Sequence, residues 1–127
     1  MLLSRIFLAA VGTVYIALAA WCTIKPASTS QIVGFELKPG SGQSEFLVIY
    51  GGLELALGIV FLLPLLKPSF AESSLLTCLI LHACLVLFRT VSFFLYSGIS
   101  SQTRQLAFYE WLIFLAAAGL MWRQPRG

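Results

Sequence analysis

Glu54, His82, Arg89 and Glu110 each interrupt an otherwise apolar run of this 127-residue chain. A charge at mid-bilayer costs about 2.5–3.5 kcal/mol on insertion scales, so such a residue faces a bundle interior and marks a site or a pair. Glu54 carries two readings: a proton- or cation-binding carboxylate in a cavity, or one half of a structural ion pair. Arg89 presents a planar fork that can lock two carboxylates together, or hold an anionic headgroup or ligand carboxylate. Glu110 lies nearer the start of its run, where water reaches. His82 precedes Arg89 by seven residues and shares its helix face. Its plain reading is a neutral, hydrogen-bonded core histidine; its sharper one is a proton carrier. Tyr50, Glu54 and Gly58 follow an i, i+4, i+8 row.

Other chemistries lack their residues. There is no Asp in the chain. Ser4, Ser92 and the other serines have no His/Asp partner set for nucleophilic catalysis. Cys78 and His82 stand four apart, but two ligands do not make a metal site. The three cysteines, Cys22, Cys78 and Cys84, all lie in apolar runs and read as small packing residues, not as a disulfide framework. No Gly-rich phosphate loop, haem motif or Cys-x-x-Cys occurs. The sequence therefore predicts no catalytic residue, no metal and no cofactor, and a non-enzyme in preference to an enzyme. A dispersed net charge of +3 argues against nucleic acid as a partner.

The elements that position these residues follow from composition. Hydrophobic residues make up 59% and charged residues 10%, against about one quarter charged in soluble domains. Four apolar runs, Ile6–Ile24, Phe46–Leu66, Leu75–Tyr96 and Leu106–Trp122, each approach the ~20 residues that cross a hydrocarbon core. Ile59–Leu66 and Leu79–Phe88 are apolar almost all round, where a soluble bundle would show polar stripes. The expectation is an all-α fold, a four-span antiparallel transmembrane helix bundle forming a single domain over residues 1–127. Arg5, Lys25, Lys67, Arg104, Arg123 and Arg126 flank the runs as interfacial anchors, as do Trp21, Trp111 and Trp122. The first run is long for a signal-peptide core and is read as a retained span. The terminus side carries Arg5, Lys67, Arg123 and Arg126; the other carries Lys25, Lys38 and Arg104, offset by Glu36 and Glu45. The positive-inside rule then places both termini in the cytoplasm.

The only long connection, Lys25–Glu45, has Pro-bearing ends and an amphipathic middle, Ile32–Leu37, that lies on the membrane or closes the bundle mouth as a lid. Lys67–Ser74 reads as a tight turn around Pro64 and Pro68, with Ser69 and Ser73 as helix caps. Ser97–Gln105 reads as a loop. Counting 1.5 Å per residue from the long-loop side puts Glu54 about 12 Å deep, Arg89 about 10 Å and Glu110 about 6 Å, with His82 deeper. Three charges from three helices thus share a layer. The expected arrangement is a Glu54–Arg89–Glu110 cluster with Tyr50 or Tyr109 as a hydrogen-bonding neighbour. Gly51, Gly52, Ala56 and Gly58, with Gly12 and several alanines of the first run, allow close helix approach.

The stretch Tyr50-Gly51-Gly52-Leu53-Glu54-Leu55-Ala56-Leu57-Gly58, then Phe88-Arg89-Thr90-Val91-Ser92, Gly98 and Glu110, resembles a family of small bacterial four-helix membrane proteins. That family is catalogued as a domain of unknown function and looks related to the DoxX-like group. The resemblance runs from the first span to the last. It implies the four-span fold and an inner-membrane address, and it implies no activity. A basic residue expected before the Tyr-Gly-Gly run is missing from Glu45–Ile49. The polar-pocket candidates are Glu54, Arg89, Glu110, Tyr50, His82 and Ser92. The leading reading is a pocket taking a small, partly apolar ligand at Arg89. The alternatives are an accessory or assembly subunit without a ligand, and a proton-coupled exporter like the small multidrug transporters. The expected partners are membrane lipid and a small-molecule ligand, with a second copy of the chain or a membrane partner protein as further options.

Overall fold

The computed structural model describes residues 1–125; Arg126, counted above among the interfacial cations, lies outside them. Four helices are long and apolar enough to cross a membrane: a first span Leu2–Ile24, a second Ser41–Leu66, a third Pro68–Leu95 and a fourth Ser101–Trp122. Among the described residues there is no strand. Each span begins a few residues before its apolar run. Apolarity marks the hydrocarbon layer, whereas the helical hydrogen-bond ladder continues into polar residues at the ends.

The ends have local causes. Lys25 precedes proline and leaves the helical region (φ −128°, ψ 62°), ending the first span. Pro26 then opens a short helix, Pro26–Ile32, at the position where its missing N–H costs least. This helix lies upstream of the segment expected to be amphipathic; Gly34, at φ 86°, turns the chain after it. Ser100 caps the fourth span, its hydroxyl accepting the Thr103 N–H at 3.3 Å. Ser69 and Ser73 cap nothing. A single tight turn, Pro68–Phe70, runs directly into Ala71–Leu95, so no fresh N-terminus needs satisfying there.

Pro64 is not part of a turn but sits inside the second span. Its missing N–H orphans the Val60 carbonyl four residues earlier, and Pro68 does the same to the Pro64 carbonyl. In lipid neither can turn to water. The Ser74 hydroxyl of the third span donates to Val60 O at 2.8 Å, and the Arg5 Nε–H of the first donates to Pro64 O at 3.2 Å. Two prolines four apart thus tie three helices together.

The first span packs closely on the second, and the third on the fourth; the fourth touches the first only lightly. Close approach of the first pair needs glycine. A Cβ on Gly58 would stand 2.6 Å from Ile16 Cγ1, and one on Gly12 would stand 2.9 Å from the Gly58 carbonyl oxygen. Leu8, Val11, Phe61, Leu75, Cys78 and Ala117 form an apolar core in the half of the bundle nearer the termini. The outer surface is apolar too: Leu66, Phe88 and Phe94 are 86%, 74% and 87% exposed, as lipid-facing side chains are.

Candidate functional site

Arg89 on the third span meets Glu110 on the fourth. Nε donates to Oε1 at 2.8 Å and Nη2 to Oε2 at 3.3 Å, a two-pronged pair that explains why these spans associate in this register. The pair is sheltered, with side chains 29% and 13% exposed. Nη1 of Arg89 bonds no protein group among the described residues. Ser92 does not join through its hydroxyl, which donates back to the Arg89 carbonyl at 2.7 Å. Tyr109, offered from the sequence as a neighbour, is exposed and stands edge-on to Phe108.

Glu54 stays outside this pair, so the expected three-way cluster is corrected to two plus one. The reason is the order of the helices. The second and fourth spans pack on the first and third rather than on each other, and the prongs of Arg89 that bond carboxylate go to Glu110. Glu54 nevertheless faces inward: its Oε2 is buried and has no hydrogen-bond partner. It lies within electrostatic reach of Tyr15 and Tyr50. Tyr50 lies within electrostatic reach of both the Glu54 carboxylate and the Arg89 guanidinium.

The backbone that delivers Glu54 is unusual. Leu47–Leu53, which includes Tyr50, Gly51 and Gly52, is a π-helix, and the Glu54 N–H reaches back five residues to the Ile49 carbonyl. Such segments are rare and gather at functional sites. The wider turn loosens the i, i+4 row read for Tyr50 and Glu54. The approach of the first span to this segment relies on Gly51, where a Cβ would meet Thr23 Oγ1 at 2.8 Å. Above Glu54, Phe46 and Tyr50 stack at 4.6 Å, and Phe35 of the long connection stands edge-on to both, at 6.5 Å and 5.9 Å. The connection is thus held against the second span through Phe35, and Thr29 and Ser30 of its short helix are buried.

His82 is buried at mid-depth and bonded on both ring nitrogens. Nδ1 lies 2.8 Å from the Cys78 carbonyl, which can only accept, so Nδ1 carries the proton. Nε2 is then the acceptor for the Tyr15 hydroxyl, 3.0 Å away on the first span. Phe61 packs edge-on to Tyr15 at 5.5 Å. The buried, doubly hydrogen-bonded ring fits the plain reading of a core histidine, and its partner Tyr15 was not singled out from the sequence. The signal was present: a mid-span histidine needs a polar partner at the same depth, and Tyr15 lies midway along the first span. No group of three or more metal-ligating side chains occurs among the described residues.

The intramembrane charges Glu54, Arg89 and Glu110 thus lie in the half of the bundle below the long connection, and the apolar core fills the other. The model of a family described as Domain of unknown function (DUF4345) matches residues 3–122. No curated protein and no solved structure matches the chain.

Proposed function

Since the chain belongs to this family of unassigned function, we propose from the site itself that it is a membrane protein binding a small, partly apolar ligand. The ligand sits in the polar half of the bundle, its donor or cationic end at Glu54. The observation that carries this is the buried Glu54 Oε2 without a partner. A buried acceptor left unmade costs about 1–3 kcal/mol, and a ligand donor removes that cost. Arg89 and Glu110 offset each other, so an ionised Glu54 has no counter-charge in the layer. Arg89, the anchor expected from the sequence, is already neutralised by Glu110. The aromatic roof of Phe35, Phe46 and Tyr50 suits the ligand's apolar part.

The test is thermal unfolding of the purified chain against a panel of small amines, alcohols and carboxylates. Amines or alcohols raise the melting temperature of the wild type, and Glu54→Gln abolishes the shift. A shift that survives Glu54→Gln and Arg89→Ala, or one confined to carboxylates, refutes this reading.

A bacterial inner-membrane address, a relation to the DoxX-like group and cytoplasmic termini belong to the same proposal. Orientation is supported by Arg5, Lys67 and Arg123 at the terminus end. An accessory-subunit reading draws support from the fourth span, which buries only Ala107 and Ala117 fully and leaves a broad apolar face. A proton-coupled exporter needs a second opening, and the apolar core around Phe61 and Leu75 weighs against it.

A further inference from the structure

A hollow lies away from Glu54, at the end of the bundle opposite the termini. It is open to the surface, has a volume of about 190 Å³ and is lined by Phe93, Tyr96, Ser97, Gly98, Ile99 and Arg104. Among the described residues nothing pairs with the Arg104 guanidinium; the one ion pair is Arg89–Glu110. Gly98, at φ 73°, bends the connection between the third and fourth spans. The backbone N–H groups of Ser97, Gly98 and Ile99 make no hydrogen bond among the described residues. Ser97, Gly98 and Arg104 are exposed, so their donors face the interface and are free to exchange water for an acceptor with several oxygens and negative charge. Phe93 and Ile99 supply an apolar wall beside them. The depth is that of the headgroup layer, just beyond the apolar part of two spans.

We propose that this hollow is a phosphate-binding site. It takes the phosphate of a lipid headgroup or free phosphate through Arg104 and the amides of the connection, and the apolar wall favours the lipid. The site is independent of Glu54 and stands whether or not the ligand reading above holds.

The experiment uses the full chain in a neutral detergent. Thermal unfolding is followed with added phosphatidylglycerol, with dioleoylglycerol as the phosphate-free lipid, and with inorganic phosphate. Wild type is compared with Arg104→Gln and with Arg123→Gln, an exposed arginine at the other end. Phosphatidylglycerol stabilises the wild type where dioleoylglycerol does not. Its apparent affinity falls about tenfold in Arg104→Gln and is unchanged in Arg123→Gln. Stabilisation by inorganic phosphate at equal concentration, lost in Arg104→Gln, assigns the site to free phosphate. Equal responses of wild type and Arg104→Gln, or an equal response to dioleoylglycerol, overturn the proposal.

Discussion

Individual side chains divide into satisfied pairs and one that is not. Arg89 and Glu110 satisfy each other across two spans, so removing one strands the other in an apolar setting. Arg89→Met or Glu110→Met is expected to lower stability by about 3 kcal/mol, and the double variant to lose less than the sum of the two. Unfolding in mixed micelles measures both. Tyr15→Phe leaves His82 Nε2 without its donor and is expected to cost about 1 kcal/mol by the same measurement. The pairing of Arg89 was legible because charges inside apolar runs are few and topology fixes their depth. Which acid it takes was not: Glu54 and Glu110 are equally good chemistry, and only the helix order separates them.

At the scale of elements, the second span holds the unusual features, and each answers to backbone arithmetic. Ser74→Ala orphans the Val60 carbonyl again and is expected to cost about 1–2 kcal/mol. In a Pro64→Ala background the helix supplies its own N–H, and the same substitution becomes nearly neutral. A double-mutant cycle on thermal stability reads this directly. Gly58→Ala forces its Cβ onto Ile16 and is expected to cost about 1–3 kcal/mol. Gly52→Ala meets no atom within 4 Å and should change stability by less than about 0.5 kcal/mol. The spans were visible as apolar runs. The orphaned carbonyls were available from the spacing of Pro64 and Pro68, which looked instead like turn chemistry. The π-helix of Leu47–Leu53 left no readable mark, because neither periodicity nor composition distinguishes an i to i+5 step from the ordinary helical one.

The whole molecule is divided across its length. Leu8, Phe61 and Leu75 close the half near the termini, while Glu54, Arg89, Glu110 and Tyr50 occupy the other under Phe35. This division was partly legible, since antiparallel spans put those charges in one layer by counting residues. The roof was not, because Phe35 reaches Tyr50 through a connection whose path no periodicity encodes. Access to Glu54 is therefore expected from the long-connection side, past Phe35. The most direct test is the accessibility of position 54, in a chain whose cysteines at 22, 78 and 84 are replaced by alanine. A Glu54→Cys variant should react with a hydrophilic, membrane-impermeant thiol reagent added from the long-connection side and not from the terminus side. Labelling from the terminus side, or only by a lipid-soluble reagent, would contradict the account.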